Sequence, residues 1–129
     1  MSPSDANEIG GEDESPIDPV AIGRLMRIGG PSLLRRIIDL YTGEAVTRLD
    51  ATLDAVATRD AAGAEAAAHS LKSMAGNVGA HRVRSLCQTI EEGARLAIGA
   101  EVRAAADALS DAHRLACEEL ADLRPDGDG

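Results

Sequence analysis

The sequence predicts an all-α protein, an antiparallel up-down-up-down four-helix bundle with a short extra helix at its N-terminus. Alanine, leucine and arginine are abundant among the 129 residues, and all three are good helix formers. Aromatic residues, which favour strands, are nearly absent, with one Tyr and no Phe or Trp. Apolar residues recur at intervals of three and four along most of the chain, which is the spacing of helices with one buried face.

Capping and helix-breaking residues divide the first half of the chain. Asp18 followed by Pro19 is typical of a helix start and predicts a short helix over about 18–28. The Gly29-Gly30-Pro31 sequence ends it, and a long helix over 32–59 follows. The residues predicted to face inward from these two helices are Val20, Leu25, Ile28, Leu34, Ile37, Ile38, Tyr41, Ala45, Leu49, Leu53 and Val56.

Three further helices are predicted in the second half. Asp60 caps a helix over 61–78, which Gly79 ends, and helices over 81–98 and 100–123 are separated by Gly99. The residues predicted to face inward are Ala64, Ala67, Leu71, Met74, Ala75, Val78, Val83, Leu86, Cys87, Ile90, Ala94, Ala97, Val102, Ala106, Leu109, His113, Ala116, Leu120 and Leu123.

Negative charge is concentrated at the start of the chain. The formal net charge is −9, and five acidic residues without any cation lie within residues 1–16, which predicts a disordered acidic leader. We expect the bundle to occupy residues 17–124 and a second disordered segment to occupy 125–129. The acidic balance argues against nucleic acid and anionic membrane as partners, because both repel a negative surface.

Signals for a membrane span, secretion or disulfides are not found in the sequence. No apolar run approaches the ~18–20 residues that a membrane-spanning helix needs, and no signal peptide is recognisable. Cys87 and Cys117 are far apart and fall on apolar helix faces. We therefore expect a cytoplasmic protein with two buried, reduced thiols, and we take a monomer as the default oligomeric state. The scarcity of lysine beside abundant alanine and arginine fits a bacterial genome rich in G and C.

One histidine lies on a predicted helix face that carries small residues. On a helical wheel of residues 61–78, His69 points away from the core. Lys72, three residues later, is the only lysine in a chain with twelve arginines, which indicates that a compact ammonium is preferred beside the imidazole. A flat surface of this kind encloses no substrate but lets another protein approach the ring. The other residues of the outward face are Ala62, Ala66, Ser73 and Gly76.

The turn at Gly79-Ala80 predicts which residues of the following helix lie beside this histidine. If the helices on either side of the turn are antiparallel about position 80, position 69 faces position 91 and position 72 faces position 88. The residues of the following helix predicted to border the site are Gln88, Glu91 and Arg95.

The run from His69 to Ala80 resembles the motif of histidine-containing phosphotransfer (HPt) domains, His-x-Leu-Lys-Gly followed after five residues by Gly-Ala. The resemblance extends over about residues 17–123. It implies a four-helix bundle with an extra N-terminal helix, whose motif histidine exchanges a phosphoryl group with the aspartate of response-regulator receiver domains. Ser73 and Met74 stand where the family usually has glycine and another small residue, which crowds the flank of the ring.

The residue types are suited to phosphoryl transfer. A neutral imidazole is a competent nucleophile near pH 7, so His69 is the predicted phosphoryl acceptor. Glu91 or Gln88 could orient the ring, and Lys72 could stabilise phosphoryl oxygens. In the family motif, the polar position 22 residues after the histidine falls on Glu91, and the basic position four further on falls on Arg95. The predicted partner-binding residues are Ala62, Ala66, Ser73, Gly76, Gln88 and Arg95.

We therefore expect a phosphoryl carrier without independent turnover, working with receiver domains or between a hybrid histidine kinase and a receiver. The carrier needs no bound cofactor or metal, since the partner receiver domain can bring Mg²⁺. Glu65 and His69 are four residues apart and do not form the Glu-x-x-His pair of di-iron bundles. The alternative is a non-catalytic helical adaptor, a degenerate HPt that docks receivers or kinases without phosphate exchange. The N-terminal module of a chemotaxis-type kinase is disfavoured, because no kinase domain follows.

The other two histidines are predicted to be structural. His113 lies on the apolar stripe of the last helix, where a core or partly buried histidine is expected. His81 follows the turn after Gly79 and is expected to begin the next helix or to lie on the surface.

Overall fold

The computed structural model describes residues 15–126, and the fold is the all-α bundle that the sequence predicts. The helices of this described region are α1 (Pro19–Ala57), α2 (Ala61–Val78), α3 (His81–Ala94) and α4 (Ala100–Leu123). Consecutive helices pack against each other, and α4 closes the bundle against α1. Short connections between packed neighbours give the antiparallel arrangement.

The predicted disordered segments lie mostly outside the described residues. Residues 1–14 and 127–129 are not described, so the acidic leader and the end of the chain stay predictions there. No helix within residues 15–126 is long and apolar enough to cross a membrane.

Helix bounds follow the capping residues. The Asp18 carboxylate accepts a hydrogen bond from the backbone amide two residues later at 2.9 Å, and Asp60 caps α2 in the same way by accepting from the Gly63 amide at 3.0 Å. Gly79 ends α2 in the left-handed conformation, with φ of 75°. A Cβ at this glycine would also lie only 2.7 Å from the Cβ of Ala21. The turn therefore requires glycine for its backbone angle and for close packing.

The predicted break between the first two helices is a kink inside α1. Gly30 is not helical, with φ of 69° and ψ of −165°. The segment before the kink buries Ala21 and Leu25, whereas Val20 and Ile28 are 66% and 70% exposed. The prediction that these last two face inward was wrong, because a short segment with few apolar residues does not define which side of the helix faces the core.

The third helix is shorter than predicted. Instead of running over 81–98, α3 ends at Ala94, and α1 likewise ends at Ala57 rather than at 59. The amides of residues 96 and 97 both donate to the carbonyl of Gly93 in a turn. Ala97, predicted to be buried, is exposed, and Ile98 is buried in its place. The apolar spacing runs on through the turn and therefore does not mark the end of the helix.

The core is continuous through the bundle and consists mainly of small and branched aliphatic side chains. Most predicted inward residues are buried. The predicted inward residues that are only partly buried are Ile37, Leu53, Ala67, Met74, Leu86, His113 and Leu123. The buried residues that the pattern missed include Ile17, Ala21, Thr52, Ala55, Ala68, Ala80, Glu91, Ile98, Ala105 and Ala112.

A polar cluster lies between α1 and α4. The hydroxyl of Tyr41, a residue 2% exposed, lies 3.1 Å from His113 Nδ1, and His113 Nε2 lies 3.4 Å from Cys117 Sγ. Burial lowers the pKa of His113 and raises the pKa of the Tyr41 phenol. His113 is partly buried, as predicted. Cys117 is half-buried rather than buried, whereas Cys87 is buried, and neither forms a disulfide.

The start of the described chain is tied to the turn between α2 and α3. The Asp18 amide donates to the Gly79 carbonyl at 2.7 Å. His81, the first residue of α3, lies with its Nε2 2.5 Å from the carbonyl oxygen of Ser15, and the Ser15 hydroxyl donates to Glu119 at 3.3 Å. The helix-start prediction for His81 is confirmed, and its ring also anchors the segment before α1.

Candidate functional site

His69 lies midway along α2 and contacts a carboxylate of α3. Its side chain is 61% exposed, and its Nδ1 lies 2.8 Å from Oε2 of Glu91. The Glu91 side chain is only 7% exposed. The antiparallel pairing about position 80 predicted this contact, since positions 69 and 91 lie at equal distances from the turn. With Nδ1 protonated, the ring donates to the carboxylate and leaves the lone pair on Nε2.

Lys72 contacts the same carboxylate from the other side. Its Nζ lies 2.6 Å from Glu91 Oε1, and its side chain is 21% exposed. The expectation that position 72 faces position 88 was wrong at the level of side chains. Gln88 is partly buried and donates instead to Oε2 of Glu92 at 2.8 Å. The flexible lysine stem reaches one turn further along α3 because a buried carboxylate attracts its charge.

Arg95 forms the other end of this network. Its Nε lies 2.5 Å from Glu65 Oε2 on α2, and its Nη2 lies 3.4 Å from Glu91 Oε2. The Arg95 side chain is 55% exposed, so these ion pairs lie at the surface and contribute little stability on their own. They hold the arginine beside the histidine.

The Glu91 carboxylate is kept ionised by its neighbours. The hydrogen bond from Lys72 lowers its pKa most, burial acts in the opposite direction, and the hydrogen bond from His69 lowers it further. The balance is a pKa below the usual value for glutamate. A fixed negative charge therefore lies next to the imidazole at neutral pH.

The surface around the ring has low relief. We call it the site face, and it consists of Ala62, Glu65, Ala66, His69, Lys72, Ser73 and Gly76 on α2 with Arg84, Gln88, Glu91 and Arg95 on α3. Ala62 and Ala66 are exposed, and Gly76 is partly exposed. Ser73 is exposed and donates its hydroxyl hydrogen to the His69 carbonyl at 3.2 Å. The side chains around the histidine thus leave its outer edge open.

Three residues of this region were missed in the sequence. Glu65 binds Arg95, Glu92 binds Gln88, and Arg84 packs across Gly76. The signal for two of them was present, because residues 65 and 95, and residues 76 and 84, are also equidistant from position 80. The rule of equal distances from position 80, which paired positions 69 and 91, therefore also pairs 65 with 95 and 76 with 84.

The interior beneath the site is apolar. Cys87, one turn before Glu91 on α3, is buried, and burial raises the pKa of its thiol to about 12. No group of three or more His, Cys, Asp or Glu side chains within residues 15–126 is arranged to hold a metal ion. A groove of about 500 Å³ lies elsewhere, lined by residues that include Leu53, Arg59 and Arg103. The histidine itself therefore lies at an open surface.

The arrangement provides an accessible nitrogen nucleophile with a fixed counter-charge. A model of the Hpt domain family matches residues 36–124, which include the larger part of α1 and all of α2, α3 and α4. Comparison with curated proteins and with solved structures returned no match.

Proposed function

The chain belongs to the Hpt domain family, and on that premise we propose that it is a histidine phosphotransfer protein. It accepts a phosphoryl group on His69 from the aspartate of a receiver domain and donates it to another. Domains of this family are phosphocarriers in two-component signalling rather than enzymes. The observation that carries the proposal is the 2.8 Å contact between the exposed ring of His69 and the buried carboxylate of Glu91.

The acceptor atom in this proposal is Nε2 of His69. Its lone pair attacks the phosphorus of the aspartyl phosphate, and an N–P bond forms as the P–O bond breaks. The aspartate leaves as a carboxylate anion, and the phosphorylated ring retains its proton on Nδ1 and carries a positive charge. In the reverse step the aspartate of a second receiver attacks phosphorus and Nε2 recovers its lone pair. The exposure of the ring, 61%, permits in-line approach from outside the bundle.

Glu91 supplies orientation and charge. Its Oε2 accepts the Nδ1 hydrogen, which selects the tautomer that leaves Nε2 free. Its negative charge stabilises the positive charge that develops on the ring as phosphorus is attacked. Because its pKa is lowered, chiefly by Lys72, the carboxylate stays ionised while the ring reacts.

Lys72 has two tasks in this scheme. Its ammonium holds Oε1 of Glu91 at 2.6 Å and so keeps the opposite oxygen aligned with the imidazole. An ammonium has three donors, and the remaining ones can bind phosphoryl oxygens in the transition state and in the phosphohistidine.

The partner supplies what this chain lacks. A receiver domain brings the phosphoryl group and its Mg²⁺ to the site face, where Ala62, Ala66, Ser73, Gly76, Gln88 and Arg95 meet it. The small side chains on α2 let the aspartate reach the ring. The carrier works in the cytoplasm between receivers or between a hybrid histidine kinase and a receiver, and it needs no cofactor of its own.

Intact mass measurement tests the proposal. The protein is mixed with a panel of receiver domains charged by acetyl phosphate and Mg²⁺, and its mass is compared with that of His69→Gln and His113→Gln. We expect a phosphoryl adduct on the wild type and on His113→Gln that is labile in acid and stable in base. We expect none on His69→Gln, which should fold normally because the side chain is exposed.

Two outcomes would contradict the proposal. Equal labelling of wild type and His69→Gln would remove this histidine from the acceptor role. If neither the receivers nor co-resident histidine kinases label the wild type, although a receiver binds the wild type and His69→Gln equally, the protein is the non-catalytic adaptor.

A further inference from the structure

Within the described part of the chain, Arg84 is the cation of the site face whose side chain has no ion-pair partner. Lys72 is bound to Glu91, and Arg95 is bound to Glu65 and Glu91. Arg84 is exposed, and among residues 15–126 its side chain makes no hydrogen bond or ion pair with another residue. Its charge is therefore available to a molecule that arrives from outside.

The side chain of Arg84 packs against the backbone of α2 at Gly76. A Cβ built at Gly76 would lie 3.6 Å from both Cδ and Nε of Arg84, so the arginine lies across the glycine at van der Waals contact. No side chain at position 76 lifts it away from the helix. The stem is held against the bundle while the charged head stays in water.

Arg84 lies within the footprint of a protein that covers His69. Gly76 follows His69 by seven residues, which is two turns or about 10 Å along a helix. A standard interface covers about 800 Å² per partner, a patch of roughly 16 Å radius. A receiver centred on the histidine therefore reaches the free guanidinium.

The net negative charge of the chain explains why a positive guanidinium on the site face would help an anionic partner to bind. The formal net charge is −9, whereas the donor brings an acidic group, the aspartyl phosphate, toward His69. A net negative carrier repels this anionic group at long range, and an unpaired cation at the rim of the site face offsets part of that repulsion and steers the encounter.

We propose that Arg84 is a docking residue for receiver domains, pairing with a carboxylate that lies about 10 Å from the phosphorylated aspartate of the receiver. The inference rests on the proposed function and adds a determinant of partner recognition to it. Arg84 takes no part in the bond-forming step, because Gly76, across which it packs, lies two helical turns from His69.

Single-turnover phosphotransfer tests the inference. A receiver that labels the wild type is charged with acetyl phosphate and Mg²⁺, and the transfer rate is measured against carrier concentration for Arg84→Gln. Loss of one surface ion pair should raise the half-saturating concentration roughly 2–5-fold and leave the maximal rate unchanged. The variant should also show a weaker dependence of transfer on salt, and Arg84→Lys should recover part of the loss.

The matched control is Arg82→Gln. Arg82 is also exposed and lies on the same helix, but two residues turn it about 200° away from Arg84. The substitution removes the same charge from a different face. Circular dichroism melting of all variants shows that each is folded.

The outcomes separate this inference from the proposed function. If the wild type is labelled and Arg84→Gln has the same half-saturating concentration as Arg82→Gln, the docking role is overturned and the carrier function stands. A fall in the maximal rate alone would overturn it too, because that would assign Arg84 to the chemical step. If neither a receiver nor a co-resident histidine kinase labels the wild type, the carrier function fails and the docking role argued from it fails too.

Discussion

Two histidines of this bundle show how the partner of an imidazole decides its use. His69 is 61% exposed and contacts the buried, ionised carboxylate of Glu91. His113 is partly buried and contacts two neutral groups, the hydroxyl of Tyr41 and the thiol of Cys117. The first environment can balance a positive charge on the ring, and the second disfavours one, because burial lowers the pKa of His113. The same residue type is thus a candidate nucleophile on α2 and a core contact on α4.

The largest expected effect on phosphotransfer comes from removing the negative charge of Glu91 beside His69. Glu91→Gln keeps a polar group beside His69 but removes the negative charge, and we expect phosphotransfer to slow about 10²-fold, within the range for a lost general acid–base or orienting group. Rapid-quench transfer from a charged receiver measures it. Glu92→Gln is the control, since that carboxylate binds Gln88 and not the imidazole. Equal rates for both variants would mean that the charge of Glu91 is irrelevant to transfer.

The next effect concerns the residue that holds this carboxylate. Lys72→Met keeps the apolar stem and removes the ammonium that lies 2.6 Å from Glu91. We expect transfer to slow about tenfold, the effect of losing about 1.4 kcal/mol of transition-state stabilisation, and the phosphohistidine to hydrolyse faster. Rates and lifetimes equal to those of the wild type would make Lys72 only a surface charge.

A substitution beside His113 should change the free energy of unfolding and leave the rate of phosphotransfer unchanged. Tyr41→Phe removes the hydroxyl that lies 3.1 Å from His113 Nδ1, and we expect a loss of about 1 kcal/mol in the free energy of unfolding. Urea denaturation measures this loss, and labelling of His69 should not change. A variant as stable as the wild type but defective in transfer would reverse the contrast between the two histidines.

The last effect is a pH dependence of stability. The folded protein lowers the pKa of His113 through burial, although Asp50 opposes the shift. The unfolded chain therefore binds a proton first as pH falls below about 6.5, and the folded state loses stability by at most about 1.4 kcal/mol per pH unit. Urea midpoints between pH 7 and 5 should fall more steeply for the wild type than for His113→Gln. Parallel slopes would show that this ring contributes nothing to the pH dependence.

Much of the fold could be predicted because the residues that begin and end its helices act locally. Asp18, Asp60 and Gly79 act on their own backbone neighbours, so the sequence around each one indicates where a helix begins or ends. Two features were not local. The end of α3 at Ala94 is decided by a turn within an unbroken apolar spacing, and the exposure of Val20 depends on how a short segment rotates against the bundle.

The site divides in the same way. The contact between His69 and Glu91 follows from antiparallel backbones and equal distances from the turn, and it could be predicted. The position of the Lys72 ammonium could not, because a four-carbon stem reaches several residues of the facing helix. Electrostatics then decides in favour of the buried carboxylate over Gln88.

The segment that precedes α1 is attached to the turn between α2 and α3, and this attachment couples the two parts of the molecule mechanically. The Asp18 amide and the Gly79 carbonyl are hydrogen-bonded at 2.7 Å, and His81 contacts Ser15. The hairpin of α2 and α3 is therefore clamped at its closed end to the first turn of α1. These segments should open as one cooperative unit in amide hydrogen exchange. A pulling force applied at Ser15 would therefore act directly on the α2–α3 hairpin, which carries His69, before the rest of the bundle unfolds.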